Sequence, residues 1–176
     1  MNRIALVGAS SVGKTTVFNL LKEHLPFYEF RNESTRSVAS YGFPINEEGT
    51  PETQLAIASF HLEALQTFQN TVYDRCFLDL VVYSETMTDL PERVLKFIKD
   101  TGDRVYKHYT HFVYFPIEFK SVDDGVRSLN EEWRYKIDTS FRNHLDEIHK
   151  SREKNYLTVT GSPNQRVQQI LKFIKE

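Results

Sequence analysis

Gly8-Ala9-Ser10-Ser11-Val12-Gly13-Lys14-Thr15 carries the densest chemistry in the chain. The run follows G-x-x-x-x-G-K-[ST], in which glycines permit backbone torsions that aim successive N–H groups at phosphate oxygens, and a following helix adds the positive end of its dipole. In that arrangement Lys14 would reach the β- and γ-phosphates of a nucleoside triphosphate, and the Thr15 hydroxyl would ligate magnesium. Gly8, Ser10, Ser11, Val12, Gly13, Lys14, Thr15 and Thr16 are therefore the expected nucleotide-binding residues, with ATP and Mg2+ as cofactors. Lys14 is expected in a solvated loop, its charge serving phosphate and not the core.

Such a loop works only between a strand and a helix, and its flanks supply both. Arg3 to Val7 is short and mostly apolar, as a buried strand is, and Lys14 to His24 reads as a helix with Val17, Leu20, Leu21 and the following Leu25 near helical spacing. Further strands are expected over Tyr28–Phe30, Thr71–Tyr73, His111–Phe115 and Tyr156–Thr160. Further helices are expected from Pro51 to about Phe68, from Pro91 through Ile98, over Asn130–His149, and from the Gly161-Ser162-Pro163 turn onward. In the Asn130 helix an apolar stripe runs through Trp133, Ile137, Phe141, Leu145 and Ile148, where Trp133 reads as packing, with stacking on a ligand as the alternative. Strands alternating with helices imply an α/β fold in three layers: a five-stranded, mainly parallel sheet with helices on both faces and the Arg3–Val7 strand central. The expected core includes Ile4, Leu6, Val7, Val72, Phe112, Val113, Leu157 and Val159. No linker or repeat divides residues 1–176, so one domain is expected.

In an open parallel sheet the carboxyl ends of the strands line the ligand crevice. Glu33 and Arg36, after the second strand, and Asp74 and Arg75, after the third, should therefore meet in one cavity beside Lys14. Paired acids and bases suit phosphoryl transfer, which needs a carboxylate to take a hydroxyl proton or hold magnesium and cations to neutralise the transferring oxygens. Glu33 and Asp74 are candidate catalytic carboxylates, and Asp74 is a candidate metal residue beside Thr15. Glu33, Arg36, Asp74, Arg75 and Asp79 are candidate acceptor-binding residues.

The segments GASSVGKTT, NESTR, PETQLAIASFHLEAL, VYDRCFLDLVVY, YFPIEF with DDGVRSLNEEWRYKID, and GSPNQRV resemble the nucleoside and nucleotide kinase branch of P-loop proteins over most of the chain. The likeness is to the AAA-domain group that includes the nicotinamide riboside kinase domain and phage and bacterial relatives, and more distantly to thymidylate and deoxynucleoside kinases. It implies an ATP- and magnesium-dependent phosphotransferase with Glu33 as base or acceptor-binding carboxylate and Arg36 beside the acceptor. It also implies a helical lid at about residues 120–150 that brings Arg127 and Arg134 over the phosphates as catalytic arginines, and a base-side loop carrying Pro163 and Arg166. The helix after Pro51 would contact the acceptor's base through Gln54, which shares a face with His61; a solvated face is the alternative. Thymidylate kinases carry Arg-Glu-Pro where this chain has Asn32-Glu33-Ser34, and deoxynucleoside kinases carry Glu-Arg-Ser where it has Asp74-Arg75-Cys76. The acceptor therefore stays open between nucleoside and nucleotide.

With 22 Lys+Arg against 24 Asp+Glu, the net charge is −2, which argues against attachment to nucleic acid or anionic membrane through bulk electrostatics. A kinase acting on a nucleic-acid hydroxyl and a non-enzymatic ATP- or GTP-binding regulator remain alternatives, although no guanine-reading N/T-K-x-D occurs in the sequence. No apolar stretch approaches the ~20 residues of a membrane span. The single Cys76 cannot form an internal disulfide and is expected to be a buried thiol, which fits a cytoplasmic protein. The expected partners are a nucleotide and a small-molecule acceptor, with no membrane; a homodimer is left open.

Overall fold

The computed structural model describes residues 1–45, 48–120, 130–152 and 156–175. Five strands, β1 (Arg3–Val7), β2 (Glu29–Arg31), β3 (Thr71–Asp74), β4 (His111–Tyr114) and β5 (Tyr156–Thr158), form one parallel sheet in the order β2-β3-β1-β4-β5. The strand that feeds the glycine-rich loop is thus central, as expected. Its Ile4, Ala5, Leu6 and Val7 are fully buried whichever face they point to, so both faces of the sheet are covered at its centre. Register pairs Leu6 with Asp74 and Val7 with Tyr114, which brings the carboxyl ends of the three middle strands level.

The helices are α1 (Lys14–His24), α2 (Ser34–Ser40), α3 (Pro51–Ala64), α4 (Phe77–Glu85), α5 (Glu92–Val105), α6 (Glu131–Arg152) and α7 (Pro163–Phe173). From β1 to β2 the chain steps one way along the sheet, and every later strand-to-strand step runs the other way. Right-handed crossovers then place α1 on one face and α2 to α6 on the other. Packing agrees: α1 contacts α7, while α3, α5 and α6 each contact α4. This is the three-layer α/β arrangement.

α4 is the element least visible in the sequence. Phe77, Leu78, Leu80, Val81 and Val82 are all buried, because the helix lies among three others, so its apolar residues show no single stripe. α2 is too short to show one. The stripe of α6 packs as expected at Ile137, Phe141, Leu145 and Ile148, while Trp133 is half-buried, edge-on to Tyr83 at 5.4 Å. Leu157 corrects the expected core: β5 is an edge strand, and Leu157 is only half-buried, whereas the other seven expected core residues are buried. α3 ends at Ala64, short of Phe68, whose ring is 98% exposed and gives the helix no reason to continue. Cys76 is a buried thiol, as expected.

Gly8 leaves β1 at φ 141°, and a Cβ there would lie 2.5 Å from the Phe115 carbonyl oxygen. Gly8→Ala should therefore lower the unfolding free energy by about 1–3 kcal/mol, read from urea denaturation.

Candidate functional site

The glycine-rich loop joins β1 to α1, with Gly13 as the helix N-cap in the left-handed region at φ 88°. Lys14 departs from expectation. Only 5% of it is exposed, and its ammonium donates to the carbonyls of Gly8 at 2.7 Å and Ala9 at 2.6 Å. Burial, reinforced by the nearby Arg75 charge, lowers its pKa to about 7. The reason is geometric: the side chain folds back over the loop that precedes it, onto the carbonyls of Gly8 and Ala9. The Thr15 hydroxyl donates to Asp74 Oδ2 at 2.8 Å, and Asp74 is 3% exposed, with burial raising its pKa.

Two arginines hold the loop from outside, and sequence reasoning missed this use of them. Arg134, from the first turn of α6, is 1% exposed and donates Nε to Ser10 O at 2.9 Å, Nη2 to Ser11 O at 3.3 Å, and both terminal nitrogens to Phe119 O at 3.0 Å. Expected over the phosphates, it instead binds backbone carbonyls. Arg166, from the first turn of α7, donates to Val12 O at 2.6 Å and Gly161 O at 2.9 Å, pairs with Glu118, and lies 5.6 Å from the centre of the Phe119 ring. Pro163 and Thr16 are exposed, and Arg127 lies outside the described residues.

A cavity follows the loop, lined by Ser11, Val12, Gly13, Lys14, Thr15, Thr16, Asn19, Glu33 and Arg75. A second cleft is lined by Ser10, Glu33, Thr35, Arg36, Ile45, Thr53, Gln54, Ile57, His61, Arg75, Asp79, Leu80, Tyr83 and Met87. Glu33 and Arg75 form the wall shared by both. They pair at 2.5 Å, and although burial opposes its charge, the Glu33 carboxylate keeps Arg75 firmly protonated. Arg36 Nε lies 3.7 Å from Glu33, and Asp79 lies 3.4 Å from Arg75 Nη1 while accepting from Cys76 N at 2.9 Å. The chain thus brings Glu33, Arg36, Arg75 and Asp79 to one cleft. Asp74 stands apart from them, on the Thr15 side.

Gln54 and His61 are buried toward the cleft, so their face of α3 is not solvated. Burial, then the Arg75 charge, lowers the His61 pKa to about 4, and burial raises that of Asp79 to about 6. Asn19, Ile45, Leu80 and Met87 were not read from the sequence, because they come from separate elements and carry no motif.

Among the described residues no three His, Cys, Asp or Glu side chains gather as a metal centre. The Thr15–Asp74 pair nevertheless fits magnesium. Asp74 Oδ1 is buried without a hydrogen-bond partner, and this cation takes one or two protein oxygens and completes its shell with phosphate and water. Also among the described residues, no helix is long and apolar enough to cross a membrane.

A glycine-rich loop running from the central strand of an all-parallel sheet into a helix N-terminus, with acids and bases at the neighbouring strand ends, defines a P-loop protein of the three-layer α/β class. The family described as AAA domain matches residues 3–166, and the chain belongs to it. No curated protein matches the sequence. Among solved structures, the deoxyadenosine kinase from M. mycoides superposes with a TM-score of 0.76 at 15% identity, over 98% of each chain. Thymidylate kinase from Candida albicans gives 0.71 at 15% identity, over 99% of this chain and 91% of that one. The NadR protein in complex with NR gives 0.78 at 16% identity, and this chain spans 52% of it. These likenesses establish the fold.

His61 has a folded pKa of about 4, below the ordinary 6.5, so its contribution to stability is complete above pH 6.5 and lost as the pH falls through 4. Asp79 acts oppositely: its folded pKa of about 6 lies above the ordinary 3.8, so its contribution is lost as the pH rises through 6. Comparing variants separates the two. Between pH 6.5 and 4, wild type should lose about 3 kcal/mol more stability than His61→Gln, measured by denaturant titration at each pH.

Proposed function

We propose that this chain transfers the terminal phosphoryl group of ATP, with magnesium, to a small nucleoside-like or nucleotide acceptor in the cytoplasm. One observation carries the reading: Glu33 and Arg75 form the wall shared by the phosphate-loop cavity and the second cleft, so a carboxylate and a guanidinium stand where donor and acceptor would meet. The kinase names of the structural neighbours support it.

On this reading the N–H groups of Gly8 to Thr16 bind the donor's phosphates, with Pro163 and Arg166 on the side of its base. Lys14 leaves the carbonyls of Gly8 and Ala9 to pair with phosphate oxygens, whose charge favours its protonated form. Thr15 and Asp74 would hold magnesium, which would neutralise charge on the phosphate oxygens. Glu33 accepts the proton of the acceptor, and Arg75 and Arg36 steady the charge spread over the transferring oxygens. Gln54 and Asp79 position the acceptor. Arg127 supplies lid charge, and Arg134 sets the shape of the loop that the phosphates enter.

Purified protein given γ-labelled ATP, magnesium and a panel of nucleosides, nucleoside monophosphates and nicotinamide riboside should label at least one of them; no transfer to any overturns the proposal. Glu33→Gln should lower kcat by about 10²–10⁴-fold with a much smaller change in acceptor KM, read from initial rates. Lys14→Ala, which removes a buried charge but leaves the carbonyls of Gly8 and Ala9 without their donor, should lower the melting temperature without ATP by several degrees, and should lose both the ATP-induced rise in that temperature and the transfer activity.

A further inference from the structure

A third cleft lies on the outer side of the Glu33–Arg75 pair, between the second half of α3, the first turns of α2 and the carboxyl end of the edge strand β2. Glu33, His61 and Arg75 border both this cleft and the second one, so the two are back to back across the same wall. No step proposed above uses it. Arg31 and Tyr73 line it from the sheet; they are register neighbours on β2 and β3, so their side chains leave the same face. α3 lies over that face, with Glu63 3.7 Å from Arg31.

Formal charge in this cleft is already balanced. Arg31 Nη2 lies 2.9 Å from Glu29, and Arg75 lies 2.5 Å from Glu33. What lacks a partner is a pair of hydrogen-bond donors: the hydroxyl of Tyr73, a residue only 2% exposed, and the buried Nε of Arg31. A buried donor left unpaired is costly and rare in a native fold, and two on neighbouring strands point to a group that the chain itself does not supply. Guanidinium Nε can only donate, so that group is an acceptor. Phe60, Ala64 and the Tyr73 ring add apolar surface to the same cleft, whereas an anion would also face the carboxylates of Glu33 and Glu63.

We propose that the third cleft is an effector site for a small uncharged planar molecule, whose carbonyl oxygen or ring nitrogen accepts from Tyr73 and Arg31 and whose ring packs against Phe60 and Ala64. Its occupant meets Glu33, Arg75 and His61 from the side opposite the second cleft, so binding in one cleft shifts affinity in the other. That coupling rests on the phosphotransferase reading above; the binding itself does not.

The test titrates the full chain with uracil, 2-pyridone and benzamide, and with benzoate and toluene as charged and acceptor-free counterparts, by calorimetry and ligand-observed NMR. At least one of the first three should bind with a Kd of about 1 mM or below, and both counterparts about tenfold more weakly. Tyr73→Phe should weaken that binding about tenfold while leaving the ligand-free melting temperature unchanged or higher, because it deletes a hydroxyl that has no partner in the fold. Ser37→Trp, at an exposed position on α2, fills the cleft from its rim and should abolish binding, which keeps the site testable if the phenylalanine shifts the packing. In transfer assays with γ-labelled ATP, a saturating probe should change the acceptor KM by about threefold or more in wild type and leave it unmoved in Ser37→Trp. Binding by none of the probes, or binding unmoved in both variants, overturns the site and leaves water as the partner of the two donors. Binding with KM unmoved overturns the coupling. Absence of transfer to any acceptor overturns the phosphotransferase reading, and the coupling with it, while the binding result stands by itself.

Discussion

A backbone that turns successive N–H groups toward an anion turns its carbonyls the other way, and in a buried loop those carbonyls need donors of their own. From Gly8 to Gly13 every carbonyl has one. Gly8 and Ala9 take the Lys14 ammonium, Ser10 and Ser11 the Arg134 guanidinium, Val12 that of Arg166, and Gly13 the N–H of Val17. Much of the architecture around the site follows from this requirement. The first turns of α6 and α7 both lie against the loop, and Phe119 links them, giving its carbonyl to Arg134 and its ring to Arg166.

Charge is arranged with the same economy at the strand ends. Arg75 adopts a left-handed backbone at φ 78°, unusual for a residue with a side chain, and its N–H donates to Leu6 O at 3.1 Å. Such strain costs of order 1 kcal/mol and persists where surrounding contacts over-determine it. Here they do, since the guanidinium meets Glu33 and Asp79 and lies 5.1 Å from the Tyr83 ring centre. Arg75 also lowers the pKa of both Lys14 and His61, so one cation tunes the phosphate loop and the cleft together.

What the sequence discloses and what it hides divide along contact distance. The phosphate loop, the parallel sheet and the central place of β1 rest on local patterns: a motif, short apolar runs, helical stripes. The meeting of Glu33 with Arg75 follows from a topological rule applied to neighbouring strands. Arg134 and Arg166 reach loop carbonyls 124 and 154 residues away, and no local pattern separates an arginine that binds carbonyls from one that binds phosphate. Lys14 differs from its expected solvated place for a related reason, since solvation depends on what closes over a side chain and not on its charge. Leu157 looks like core in its own strand, and only the sheet order reveals that the strand is an edge. The helix α4 hides its periodicity because it is apolar on nearly every side.

Because its carbonyls are bound by side chains from distant helices, the octapeptide at the end of β1 is not a receptor in its own right. Cut from this chain, the same residues would sample many backbone shapes, and an arriving anion would have to supply the free energy of ordering them. Within the fold, that entropy is already lost when α6 and α7 dock, long before any ligand is present. The affinity of the loop is therefore a property of tertiary structure, and a substitution in a helix far along the chain can weaken it without altering a residue of the motif.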